Sequence, residues 1–206
     1  MTDGGELQKK NGAKRLIERT LMKHASSVPA PLAWIDSITE RLGRTVAWLV
    51  LAMMLIQFLV VVLRYAFNVN SIPMQESIMY MHATVFLLAA SYTLKHEGHV
   101  RVDIFYRVAP VRRKAWTDLL GTLLLLIPFM SFILFSSWGY VVRSWSILEG
   151  SPETGGIPAI FLLKTLIPAF AILMILQGIA EIIRNALIIS GRLTPPSDSD
   201  RAEEIL

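Results

Sequence analysis

Cysteine is absent from the 206-residue chain. That excludes disulfides, thiolate catalysis and Cys-based zinc or iron–sulfur sites, and it leaves the compartment unread from cysteine usage. Charge is scarce as well. Only 17% of the residues are charged, against about 25% in an ordinary soluble domain, and the mean hydropathy is +0.51. A Gly-rich phosphate loop, a Ser/His/Asp set and paired carboxylates within one apolar stretch are all missing, so an enzyme is not expected. The ionisable residues within or bordering apolar stretches are Glu76, His82, Lys164 and Glu181. His82 stands alone inside its stretch; His24, His96 and His99 lie outside, so bis-histidine haem has no second ligand at that depth. Zinc and di-iron centres lack ligand clusters. No cofactor or metal is expected.

Against these absences stand four long apolar runs: Thr45–Leu63, Ser77–Leu94, Leu119–Val142 and Ile157–Ala180. The first, at 1.5 Å per residue, covers roughly 28 Å, close to the ~30 Å hydrocarbon core of a bilayer. Pro128 and Pro168 fall inside the third and fourth runs, where membrane helices tolerate them because neighbours re-satisfy the freed carbonyls. Four buried helices of a soluble bundle would each carry a polar face every 3.6 residues. The segments LVLAMMLIQFLVVVL and LLGTLLLLIPFMSFILF carry none. The expected fold is therefore an all-α membrane protein with four transmembrane helices over 45–190.

Residues 1–30 form a basic, Gly- and Asn-containing start expected to be disordered, apart from a basic amphipathic helix over Lys14–His24 ended by Pro29 and Pro31. Residues 31–44 place Leu32, Ile35, Ile38 and Leu42 at helical spacing beside Trp34, with Asp36, Glu40 and Arg41 facing elsewhere. They predict an amphipathic helix in the membrane interface, with an amphipathic helix packed on protein as the alternative. Residues 191–206 read as a disordered tail. No small-residue cleavage pattern follows the first run, so no processing is expected.

Lysine and arginine alternate between segments. They crowd the stretch before the first run, the Lys95–Lys114 loop and the C-terminal end, whereas Arg64 and Arg143 stand alone in the other two connections. Both termini and the Lys95–Lys114 loop are expected in the cytoplasm. The net charge of +4 thus reads as membrane orientation and contact with membrane lipids, and no nucleic acid is expected. Arg64 and Glu76 close consecutive spans across a short turn and are expected to pair or to share a polar network at the outer membrane edge. Lys164, about seven residues or roughly 10 Å inside its run, is expected to snorkel outward. Gln57, Gln75, His82 and Gln177 can hydrogen-bond across helices. Gln75, His82, Ala89 and Thr93 recur at helical spacing on one side of the second span, a surface for close packing within the bundle or against a partner.

The stretch RYAFNVNSIPMQESIMYMHATVFLLAASYTLKHEGHVRVDIFY resembles the core of the small membrane subunit of TRAP (tripartite ATP-independent periplasmic) transporters. Arg64 and Asn68 follow the first helix as they do in that family. Pro73–Met74–Gln75–Glu76–Ser77 stands where the family has Pro–Trp–x–Glu–Glu, with Met74 replacing the usual Trp and Ser77 the second acid. Small residues late in the second helix match Ala89, Ala90 and Ser91, and His99 to Asp103, with Arg101 between, match a His–hydrophobic–Arg–Val–Asp motif. The Gln75–Glu76 pair, HVRVDIFY and SWSILEGSPETGGIPAIFLLKTLIP are similar to the mannitol/chloroaromatic-type branch. The resemblance implies a multi-pass cell inner membrane protein. It would be the scaffold partner of a large membrane subunit carrying the sodium-coupled pathway for organic acids, supplied by a periplasmic substrate-binding protein. An ion- or proton-conducting four-helix protein using Glu76, His82 and Lys164 is the alternative. It is disfavoured because a relay needs a chain of ionisable groups through the bilayer.

Overall fold

The computed structural model describes residues 29–99, 106 and 109–193. The expectations for Lys14–His24, for Arg101 and Asp103 and for the tail beyond 193 lie outside the described residues. The chain divides into two compact units, Met1–Trp34 and Ile35–Leu206. Of the first, Pro29–Trp34 is described. There the amides of Leu32 and Ala33 both donate to the Pro29 carbonyl, at 2.9 and 3.2 Å, and open a helix.

That helix, α1, runs Ala30–Phe67; α2 follows over Ile72–Lys95. The third span is composite: α3 (Val111–Gly121), a π-helical segment (Thr122–Leu126) and α4 (Ile127–Ser146). The last helix, α5, is Ile160–Ile189. The described residues are helical throughout apart from turns and loops, and the four spans are long and apolar enough to cross a membrane. The amphipathic 31–44 segment and the first apolar run form one continuous helix. Its 38 residues extend about 57 Å, well beyond a hydrocarbon core.

Local sequence explains the helix ends. Asn68, with φ +53°, ends α1; a short polar side chain makes Asn one of the few residues that enter the left-handed region readily. Pro73 sits in the first turn of α2, where a missing N–H has no intrahelical partner to lose. Three helices end in the same paired turn. After α2, Glu97 and Gly98 donate to Leu94 and Thr93 at 3.2 and 2.8 Å. After α4, Leu148 and Glu149 donate to Trp145 and Ser144 at 3.2 and 3.0 Å. After α5, Gly191 and Arg192 donate to Ile188 and Leu187 at 3.1 and 2.9 Å. The middle residue of each turn has positive φ, and only the last is glycine.

Pro128 explains the π segment. It lacks an N–H, and in a regular helix its ring would meet the carbonyl one turn back. Just before it, Ile127 donates to Thr122, a five-residue step that widens the ladder there.

Helix α5 is the centre of the bundle and packs against α2, α3 and α4. A third of its most apolar window is buried, against 11% or less in the other spans. Small residues allow this: Ala171 and Ala180 are fully buried. A Cβ on Gly178 would lie 2.8 Å from Leu126 and 3.0 Å from Ile127, so the π segment seats directly on α5 backbone.

Two boundaries differ from the apolar runs. Helix α1 begins well before Thr45, because polar groups of its first half find partners in the bundle. Helix α5 begins at Ile160 rather than Ile157, because the backbone of Ile157 is committed to the preceding loop.

Candidate functional site

Polar side chains gather at both ends of the bundle. At the end that holds the α1–α2 turn, Glu76 in the first turns of α2 reaches across to the α4–α5 loop. One carboxylate oxygen accepts from the Ser151 hydroxyl; the other accepts from the Ile157 amide at 2.5 Å. Gly156 makes this possible. A Cβ there would lie 2.4 Å from Ser151 Oγ and 2.7 Å from Glu76 Oε1.

A second acid completes the loop. The turn after α4 points Glu149 back over the helix, where it accepts from Ser144 at 2.7 Å and pairs with Lys164 of α5 at 2.5 Å. The Lys164 ammonium also lies 3.9 Å from the centre of the Tyr140 ring, a cation–π contact. Trp145 donates to Thr165 at 2.8 Å and meets Phe161 edge-on at 4.7 Å. Hydrogen bonds from Lys164 and then Ser144 hold the Glu149 carboxyl below its ordinary pKa. With α5 starting at Ile160, Lys164 is one turn inside the helix. It reaches outward from the helix to the loop acid Glu149.

At the opposite end, the first half of α1 is tied to α2 and α5. Thr39 donates to Gln177 at 2.9 Å, and both are buried. Gln177 Nε2 lies 3.4 Å from Asp36, which pairs with Arg184 at 2.9 Å; Arg184 also pairs with Glu181. Glu40 gathers Lys95 at 2.8 Å, His96 at 3.0 Å and Arg44 at 2.9 Å. Asp36 and Glu40 therefore face the bundle, not away from it as the apolar spacing of 31–44 implies. A Cβ on Gly43 would meet the Tyr92 ring at 2.4 Å, so α1 and α2 approach closely here.

The expected Arg64–Glu76 pair does not form. Glu76 turns toward the α4–α5 loop, whereas Arg64 is exposed on the other side of α2. With Gln57, Val60, Tyr65, Gln75 and Ile78 it lines an open cleft of about 320 Å³ between α1 and α2. Gln75 donates to Asn70 at 2.7 Å. His82 is exposed, its ring stacked on Phe86 at 6.4 Å. Ala89 is half-buried and its carbonyl accepts from Thr93. Asn68 shapes the end of α1, and His99 lies exposed beyond α2. Asp36, Thr39, Ser144, Ser151 and Arg184 escape a reading by apolar runs, since their partners are 5 to 148 residues away. Gln177 inside the fourth run is the one internal signal among them.

Chemically, the two clusters are closed sets of ion pairs and hydrogen bonds. Among the described residues no three His, Asp or Glu side chains are placed to hold a metal ion.

A curated relative, the C4-dicarboxylate TRAP transporter small permease protein DctQ of Vibrio cholerae serotype O1, is 33% identical over 128 residues, or 60% of this chain. The chain spans about half the length of that relative, 51%. No solved structure matches. Residues 53–187 match the family described as tripartite ATP-independent periplasmic transporters, DctQ component. That match covers all of α2 to α4 and most of α5, and with four apolar spans it establishes a multi-pass inner membrane protein that belongs to the DctQ component family of TRAP transporters.

Proposed function

We propose that the chain is the small scaffold subunit of a sodium-coupled transporter for organic acids. It binds a large membrane subunit that carries the transport pathway, and a periplasmic substrate-binding protein delivers the substrate. The observation that carries this proposal is the state of the ionisable groups. Lys164 is bound to Glu149, Glu76 to the α4–α5 loop and Glu181 to Arg184. These ties lie toward the ends of the helices. Among the described residues the mid-span offers His82 alone, and a sodium or proton path needs a series of such groups. An ion-conducting protein built on Glu76, His82 and Lys164 is disfavoured on the same ground.

The relative's printed name, a C4-dicarboxylate permease, supports an organic acid as substrate. The Gln75–Glu76 pair and the α4–α5 loop sequence support the mannitol/chloroaromatic-type branch. The Lys/Arg alternation supports cytoplasmic termini, with the α1–α2 turn and the α4–α5 loop on the periplasmic side. Such a subunit has no reaction of its own and holds no cofactor.

The test is co-purification. The tagged chain, co-expressed with the large membrane subunit of its own transporter, should recover that subunit in stable proportion and show no cofactor absorbance. Recovery of the chain alone would overturn the proposal.

A further inference from the structure

Two membrane-facing surfaces of this bundle differ in kind. Along α4 and the π segment, the large exposed side chains from Leu124 to Trp138 are Leu124, Leu125, Phe129, Phe132, Phe135 and Trp138, all apolar or interfacial, and the exposed charge, Arg143, comes only near the end of α4. Ser136 on that side satisfies its own hydroxyl on the Ile133 carbonyl. That surface suits lipid.

The surface formed by α1 and α2 is different. On α2, Gln75, Met79, His82 and Phe86 are all exposed at spacings of four, three and four residues, which places them on one side of the helix. On α1, Gln57 and Arg64 are exposed and seven residues apart, again on one side. Gln57, Arg64 and Gln75 line the same cleft, so the two rows flank it. They form two rungs: Arg64 and Gln75 near the α1–α2 turn, and Gln57 and His82 about 10 Å deeper in each helix. Among the described residues, Gln57, Arg64 and His82 have no hydrogen-bond or ion-pair partner.

A lipid headgroup can satisfy the first rung. It cannot satisfy the second, because at that depth lipid offers only acyl chains, and an unpartnered polar side chain there is costly. We infer that this α1–α2 surface is where the chain packs against a second membrane protein. The partner presents an acidic side chain opposite Arg64, and hydroxyl, carboxamide or carboxylate groups two helical turns deeper opposite Gln57 and His82. This rests on the proposed function: the occupant is the large membrane subunit. Closure of the Gln57–Arg64–Gln75 cleft by the partner's side chains would cover Gln57 and Arg64, two of the unpartnered polar groups on this surface.

The chain has no cysteine, and a photo-crosslinking phenylalanine analogue can be placed singly at Gln57, His82, Phe132 or Phe135 in the complex with the large subunit. Adducts to the large subunit are expected from positions 57 and 82 and not from 132 and 135. Adducts from 132 or 135 alone, products of twice the chain's 23.1 kDa from 57 and 82, or lipid adducts only at 57 and 82 would each overturn the inference. In parallel, His82→Leu should lower recovery of the large subunit by about three- to tenfold, the range for one interhelical hydrogen bond in a membrane. Phe135→Leu should leave it unchanged, and equal recovery with both variants would count against the surface. Failure of the unmodified chain to recover the large subunit is a separate result, and it would remove the proposed function itself.

Discussion

Glu76 occupies a position that its sequence neighbours misrepresent. The nearest opposite charge along the chain is Arg64, across a short turn. The residue instead fastens a loop some eighty positions away, through Ser151 and the Ile157 amide. A hydrogen bond to an ionised group contributes about 1.5–3 kcal/mol, so Glu76→Ala should raise hydrogen exchange at the Ile157 amide by about tenfold or more. Gly156→Ala should do the same, because its new Cβ would sit 2.4 Å from Ser151 Oγ. Gly139→Ala, with open space around it, should leave the loop unchanged. The Glu149–Lys164 pair adds a pH dependence. The folded carboxyl titrates below its ordinary 4.5, so the pair's contribution is complete above about pH 4.5 and is lost as the pH falls through the folded value. Exchange of the α4–α5 loop amides, followed from pH 7 to pH 3, should accelerate only at the acidic end beyond its intrinsic change. Acceleration near pH 6 would contradict this assignment.

Helix α5 supplies the frame on which the other helices are arranged, and its small and polar residues decide the fit. Gln177 is fully buried and joins Thr39 to the Asp36–Arg184 pair. Gln177→Leu strands the Thr39 hydroxyl and should destabilise the bundle by about 1–3 kcal/mol, read as a lowered unfolding temperature in detergent. Gly178→Leu drives a side chain into Leu126 and Ile127 and should cost a similar ~1–3 kcal/mol; no loss would mean that the π segment does not seat there. The four spans were legible in the sequence because lipid demands about twenty apolar residues per crossing, a signal that needs no partner. The helix ends were less so. Asp36 and Glu40 look like the solvated side of an amphipathic segment, and only the approach of Lys95, His96 and Arg184 turns them inward. Long-range pairs of this kind leave no periodicity in the chain. Gln177 was the exception, since a carboxamide in an apolar run must find a partner. His82 was legible as polar and mid-span; that it points away from its own bundle was not.

Among the described residues the bundle is tied by polar clusters at both ends, with His82 the one charged-type side chain between them. Its orientation is testable directly. Cysteine at exposed Glu153 should react with an impermeant thiol reagent in intact cells, whereas cysteine at Ser190 should react only after lysis; the opposite pattern would invert the topology. On the proposed function, the chain supports transport without conducting anything itself. Reconstitution into liposomes measures it most directly, with an inward sodium gradient and the purified substrate-binding protein outside. Liposomes holding this chain together with the large membrane subunit should take up the organic acid, and liposomes holding either one alone should not. Sodium-driven uptake by liposomes containing this chain alone, or undiminished uptake by the large subunit without it, would contradict the account.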